Sequence, residues 1–93
     1  MSSQIVRTQL FPDRRVELIE IMDDYGTSSH LYVPVTQLAQ RGSLVTDAIS
    51  EADQAQAQLE AYASSAGHSL TAMKEAGIAK RKAYAATNGI TLS

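Results

Sequence analysis

Hydrophobic positions change their spacing at Pro34: before it they fall in short extended runs, and after it they recur three and four apart. Gln4 to Phe11 alternates loosely and ends at Phe11-Pro12-Asp13-Arg14, where Pro12 presets a turn dihedral and removes a ladder donor. Arg15 to Met22, with Val16, Leu18, Ile19 and Ile21, reads as a second strand. Asp23-Asp24-Tyr25-Gly26-Thr27 follows as a turn in which Gly26 takes a positive φ without steric cost, and Ser28 to Val35 forms a third strand. Residues 1–35 thus predict a β-meander.

Pairing Met22 with Ser28 across that turn fixes the rest of the register. Ile19 then faces Leu31, Glu17 faces Val33 and Ile21 faces Ser29 on the expected core side. The opposite side carries Val16, Leu18, Glu20 and Met22 against Ser28, His30, Tyr32 and Pro34, with Glu20 and His30 as a cross-strand pair. This second face is mixed. A small sheet covered on one side by its own helices would leave it as a contact surface for another copy or another protein.

The helical half opens with Ser43 as the expected N-cap and Asp47 near the positive end of the dipole. Val45, Ala48, Ile49, Ala52, Ala55, Leu59, Tyr62 and Ala66 keep helical spacing up to Gly67, a left-handed stop. A second helix starts at the cap Ser69, runs through Leu70, Met73, Ala76, Gly77 and Tyr84, and stops at Asn88-Gly89. Gly77 costs about 1 kcal/mol relative to Ala inside a helix, so it either admits a close neighbour or divides the helix. Residues 43–88 predict a two-helix hairpin, and residues 89–93 a short tail that adds an edge strand or docks Ile90 and Leu92. The expected fold class is α+β: a small three-stranded antiparallel sheet packed on an αα-hairpin, two layers in a single domain spanning 1–93.

Composition narrows this further. A chain of 93 residues, 44% hydrophobic, supports one modest core, and the absence of Cys excludes disulfides and thiolate chemistry. Met1-Ser2-Ser3-Gln4 lacks the basic and apolar regions of a signal peptide, and no apolar run approaches the roughly 20 residues of a membrane span, so a soluble, cytoplasmic protein is expected. A net charge of -2 favours neither nucleic acid nor an anionic membrane. That charge is uneven, however. The first helix holds Asp47, Glu51, Asp53 and Glu60, and the second Lys74, Lys80, Arg81 and Lys82, so an antiparallel hairpin should set Lys80, Arg81 and Lys82 beside Asp47, Glu51 or Asp53.

Chemistry-bearing patterns are sparse. His30 and His68 have no partner at ligand spacing, and Asp23-Asp24 lacks the alternating carboxylates of a calcium loop. Glu20 with His30 has the form of an acid-base pair, yet neither Ser28 nor Ser29 sits in a nucleophile elbow. The expectation is a non-enzymatic chain with no catalytic residue, no cofactor and no metal site. It would act as a protein-protein interaction module, binding a larger assembly stoichiometrically as an inhibitor, adaptor or assembly factor, and forming a homodimer through the sheet face bearing Leu18 and Tyr32 or through the Ala-rich first helix. Anchors of the type that carry interface energy are Tyr25, Tyr32, Leu18, Arg14 and Arg15. The alternative is a small nucleic-acid-binding regulator using Lys74, Lys80, Arg81 and Lys82 on phosphates. No segment carries a family motif. In size and lack of motifs alone the chain is similar to bacteriophage-encoded inhibitors of host machinery, anti-CRISPR proteins among them.

Overall fold

Extended backbone over residues 4–34 closes into one sheet, β1 (Gln4–Phe11), β2 (Val16–Met22) and β3 (Ser28–Pro34), in the computed structural model, which describes residues 3–92. The strand order β1-β2-β3 is the expected antiparallel meander. Between β1 and β2 the chain makes a single 3-10 turn at Pro12–Arg14, and the reversal is completed by Arg15 in the left-handed region, at φ 54°. Strand β2 therefore starts at Val16, one residue later than expected. The β2 to β3 turn has Gly26 at φ 74° and closes with Asp23 N–H donating to Thr27 O. Register follows the sequence reading at every predicted pair, Met22 with Ser28, Ile21 with Ser29, Glu20 with His30, Ile19 with Leu31 and Glu17 with Val33. Val6 is extra to the β1 to β2 register, where the ladder shifts between Ile5 and Arg7.

Two short 3-10 turns within Val35–Gln40, kinked at the non-helical Gln37, lead into α1 (Arg41–Ser65), and α2 spans Leu70–Thr87. The start of α1 differs from expectation. Its N-cap is Gln40, and Ser43 lies inside the helix, where its hydroxyl donates to Gln40 O. The other boundaries are local and match: Gly67 has φ 82°, and the Ser69 hydroxyl accepts from Ala72 N–H. Among the described residues no helix is long and apolar enough to cross a membrane.

The three-stranded sheet packs against both helices, within a single small α+β unit. The finer layering is set by what lies on each side of β2. Ile19, Ile21 and Val33 are buried against Leu44, Val45, Ala48, Ile49 and Ala52 of α1. Met22 and Val6, from the other face, are buried with Ala85 of α2, packed by Tyr84, Ile90 and Leu92. The arms of the helical hairpin thus take opposite faces of the sheet, with the β2 to β3 turn wedged between them, and the tail docks its apolar side chains instead of adding a strand. The expected open mixed face is correspondingly reduced. Leu18, Glu20 and Met22 are buried within one chain.

Candidate interaction surface

The wedge is held by a carboxylate. Asp24 has no solvent exposure. Its Oδ1 accepts from Arg81 Nη1 at 2.8 Å, its Oδ2 accepts from Gln56 Nε2 at 3.1 Å, and Lys74 Nζ stands 4.0 Å away. Its backbone N–H donates to Gln56 Oε1, so Gln56 serves both ends of the residue. Burial alone would raise the Asp24 pKa, but the bonds from Gln56 and Arg81 and the two nearby cations outweigh it and hold it below the ordinary value. Gly77 makes the approach possible: a Cβ there would overlap the backbone of Asp24 and Tyr25. Gly77 is thus the close-approach glycine of the two readings, and α2 continues through it.

This arrangement corrects the expected charge pairing. Arg81 is 3% exposed and bonded to the turn, not to Asp47, Glu51 or Asp53. Asp53 instead accepts from the backbone N–H and hydroxyl of Ser3. Lys74 also pairs with Glu60 at 3.7 Å and lies over the Tyr25 ring. Of the four basic residues considered for phosphate contact, Lys74 and Arg81 are therefore engaged inside the protein, while Lys80 and Lys82 are exposed. Sequence order hid Arg81 inside a basic run. The signal that could have found it is the stripe Gly77, Arg81 and Ala85, four residues apart on one face of α2.

A second polar node lies on the α2 side of the sheet. Glu20, 5% exposed, accepts from Tyr84 Oη at 2.7 Å, with His30 Nε2 3.4 Å from its other oxygen and Arg7 Nη1 at 3.9 Å. The cross-strand Glu20 and His30 pair is real. Its carboxylate accepts one hydrogen bond, from Tyr84, and has His30 and Arg7 nearby, which suits a structural role. Among the described residues no group of three or more His, Cys, Asp or Glu is placed to hold a metal ion.

The anchors proposed from sequence separate into three groups. Tyr25 is half-buried, its hydroxyl donating to Glu60 Oε2 at 2.6 Å, a bond that pushes its pKa up to about 12. Arg14 and Arg15 are exposed at the β1 to β2 reversal. Leu18 and Tyr32 are cross-strand neighbours, Leu18 only 6% exposed and Tyr32 59% exposed. Residues of α2 packed on this face reach Met22 through Ala85 and Glu20 through Tyr84. Past Glu20 the face continues with Leu18 and Val16, flanked by Phe11 on β1 and by Tyr32 and Pro34 on β3. Tyr32 stands at the rim of that apolar end.

Beside β1, a groove of about 610 Å³ is lined by Ile5, Thr8, Ile49 and the tail residues Ile90 to Leu92. Comparison with protein-family models, with curated proteins and with solved structures found no match for this chain.

Proposed function

We propose that the protein is a non-enzymatic interaction module that acts by stoichiometric occupation of a surface on a larger protein assembly. The observation that carries this reading is Tyr32, a large aromatic side chain 59% exposed on a strand anchored by buried Val33 and paired with buried Leu18 of β2. A rigid aromatic on a fixed strand loses little conformational entropy on binding and is the residue type that dominates interface energy. The adjoining Leu18, Val16 and Phe11 supply an apolar base, and His30 a polar edge. Steric occupation of this kind suits an inhibitor, adaptor or assembly factor.

The test is to capture partners with tagged protein from the cells that make it, identify them, and titrate each purified partner calorimetrically. Binding with a defined stoichiometry and at least tenfold weaker for Tyr32→Ala supports the module. Sub-micromolar, steeply salt-dependent binding to nucleic acid, lost on replacing Lys80 and Lys82 with Gln, would replace it.

A further inference from the structure

The sheet has two edges, and they are built differently. On β1 the edge carries Arg7 and a bulge at Val6, and the tail residues Ile90 and Leu92 pack against the cluster of Val6, Met22 and Ala85. Bulges, charges and covering segments are the usual means of blocking an edge. On β3 the seven residues Ser28-Ser29-His30-Leu31-Tyr32-Val33-Pro34 contain no Lys, Arg, Asp or Glu, their pairing with β2 shows no register shift, and among the described residues no strand lies beyond them.

Hydrogen-bond parity defines what that edge presents. At one end of the β2 to β3 ladder Val35 N–H donates to Arg15 O, and at the other Asp23 N–H donates to Thr27 O. Antiparallel pairs alternate, so odd-numbered residues of β3 bond inward to β2, and the N–H and C=O groups of Ser28, His30 and Tyr32 point outward. Pro34, the next outward position, has no N–H and ends the run of donors. The outward set is self-complementary about His30. An antiparallel second copy centred there pairs Ser28 with Tyr32 of its partner and His30 with its own equivalent, satisfying every outward donor. A shift of two residues toward Pro34 would instead place Ser28 against a proline without a donor.

From this edge we infer that two copies of the chain join through β3 in that register, making a continuous six-stranded antiparallel sheet. The inference rests on the proposed module and deepens it, because the two Tyr32 side chains then share one face and form a bivalent surface. The buried Glu20 carboxylate lies behind each His30, 3.4 Å from its Nε2.

The chain has no Cys, so single-cysteine variants report the register directly. Opposed residues in a hydrogen-bonded antiparallel pair have Cα atoms about 5.5 Å apart, within disulfide range. Light scattering at micromolar concentration should give twice the 10.0 kDa chain mass. With diamide as oxidant, His30→Cys should cross-link to itself, and Ser28→Cys should cross-link to Tyr32→Cys in a mixture but neither to itself. Circular dichroism identifies any variant that fails to fold, and the Ser28 and Tyr32 mixture decides the matter if His30→Cys does. A monomeric mass, or cross-linking of Ser28→Cys to itself in preference to the mixed pair, overturns the inference. A monomer that still binds its partner through Tyr32 would sink the dimer and spare the module, whereas a dimer with no partner would do the reverse.

Discussion

A carboxylate without solvent exposure stays charged only where other donors replace water, and Asp24 has Arg81, Gln56 and Lys74 in that place. Removing one member of a buried pair leaves the other charge uncompensated, at a cost of about 3 to 5 kcal/mol. Arg81→Met should therefore cost about that much in chemical denaturation, whereas Lys82→Gln, one position on but exposed, should change stability by no more than about 0.5 kcal/mol. Because the folded pKa of Asp24 lies below its ordinary value of 3.8, its contribution is complete above that value and is lost as pH falls through the lowered pKa. Thermal melts of Asp24→Asn should accordingly lose part of the acid sensitivity seen below about pH 4 in the unmodified protein. Tyr25 behaves in the opposite sense. Its bond to Glu60 raises the folded pKa to about 12 from 10.0, so that stabilisation is present below pH 10 and lost as pH rises through about 12. Glu60→Gln should bring the Tyr25 titration, followed by NMR, back toward 10.0; an unchanged titration would show that the bond is not formed in solution.

At the scale of elements, the helical hairpin clasps the β2 to β3 turn, and Gly77 is the point of closest approach. Alanine is the better helix former by about 1 kcal/mol, so Gly77→Ala would stabilise an isolated α2. Here the added methyl meets the backbone of Asp24 and Tyr25, which has no flexible end to move aside. A net loss of about 2 kcal/mol is expected, with the Asp24 amide, bonded to Gln56, becoming faster in hydrogen exchange. The same elements show what the sequence could convey. Strands, turns, the α2 cap and the β2 to β3 register were legible, because Pro12, Gly26, Gly67 and Ser69 act on their immediate neighbours and the period-two pattern fixes which residues pair, whereas the α1 cap expected at Ser43 falls at Gln40. The opposite placement of the helices was not, because it depends on a contact between Asp24 and Arg81, 57 residues apart. A pattern of apolar residues along α2 states that one side is buried, not which sheet face buries it. The buried state of Met22 was missed for the same reason.

For the whole molecule, the distribution of order separates support from contact. The Asp24 and Glu20 nodes fix the turn and the α2 side of the sheet, and each joins residues far apart in sequence. What they leave exposed is the rim of β3, where Tyr32 is held on a strand whose inward neighbour Val33 is fully buried. Tyr62, 72% exposed on α1, provides a control of the same chemistry outside that surface. The account is tested most directly by calorimetric titration of the identified partner with the unmodified protein, Tyr32→Ala and Tyr62→Ala. It predicts a defined stoichiometry, at least tenfold weaker binding for Tyr32→Ala, corresponding to about 1.4 kcal/mol or more, and an unchanged affinity for Tyr62→Ala. Equal affinity for the unmodified protein and Tyr32→Ala, or a loss confined to Tyr62→Ala, would contradict it.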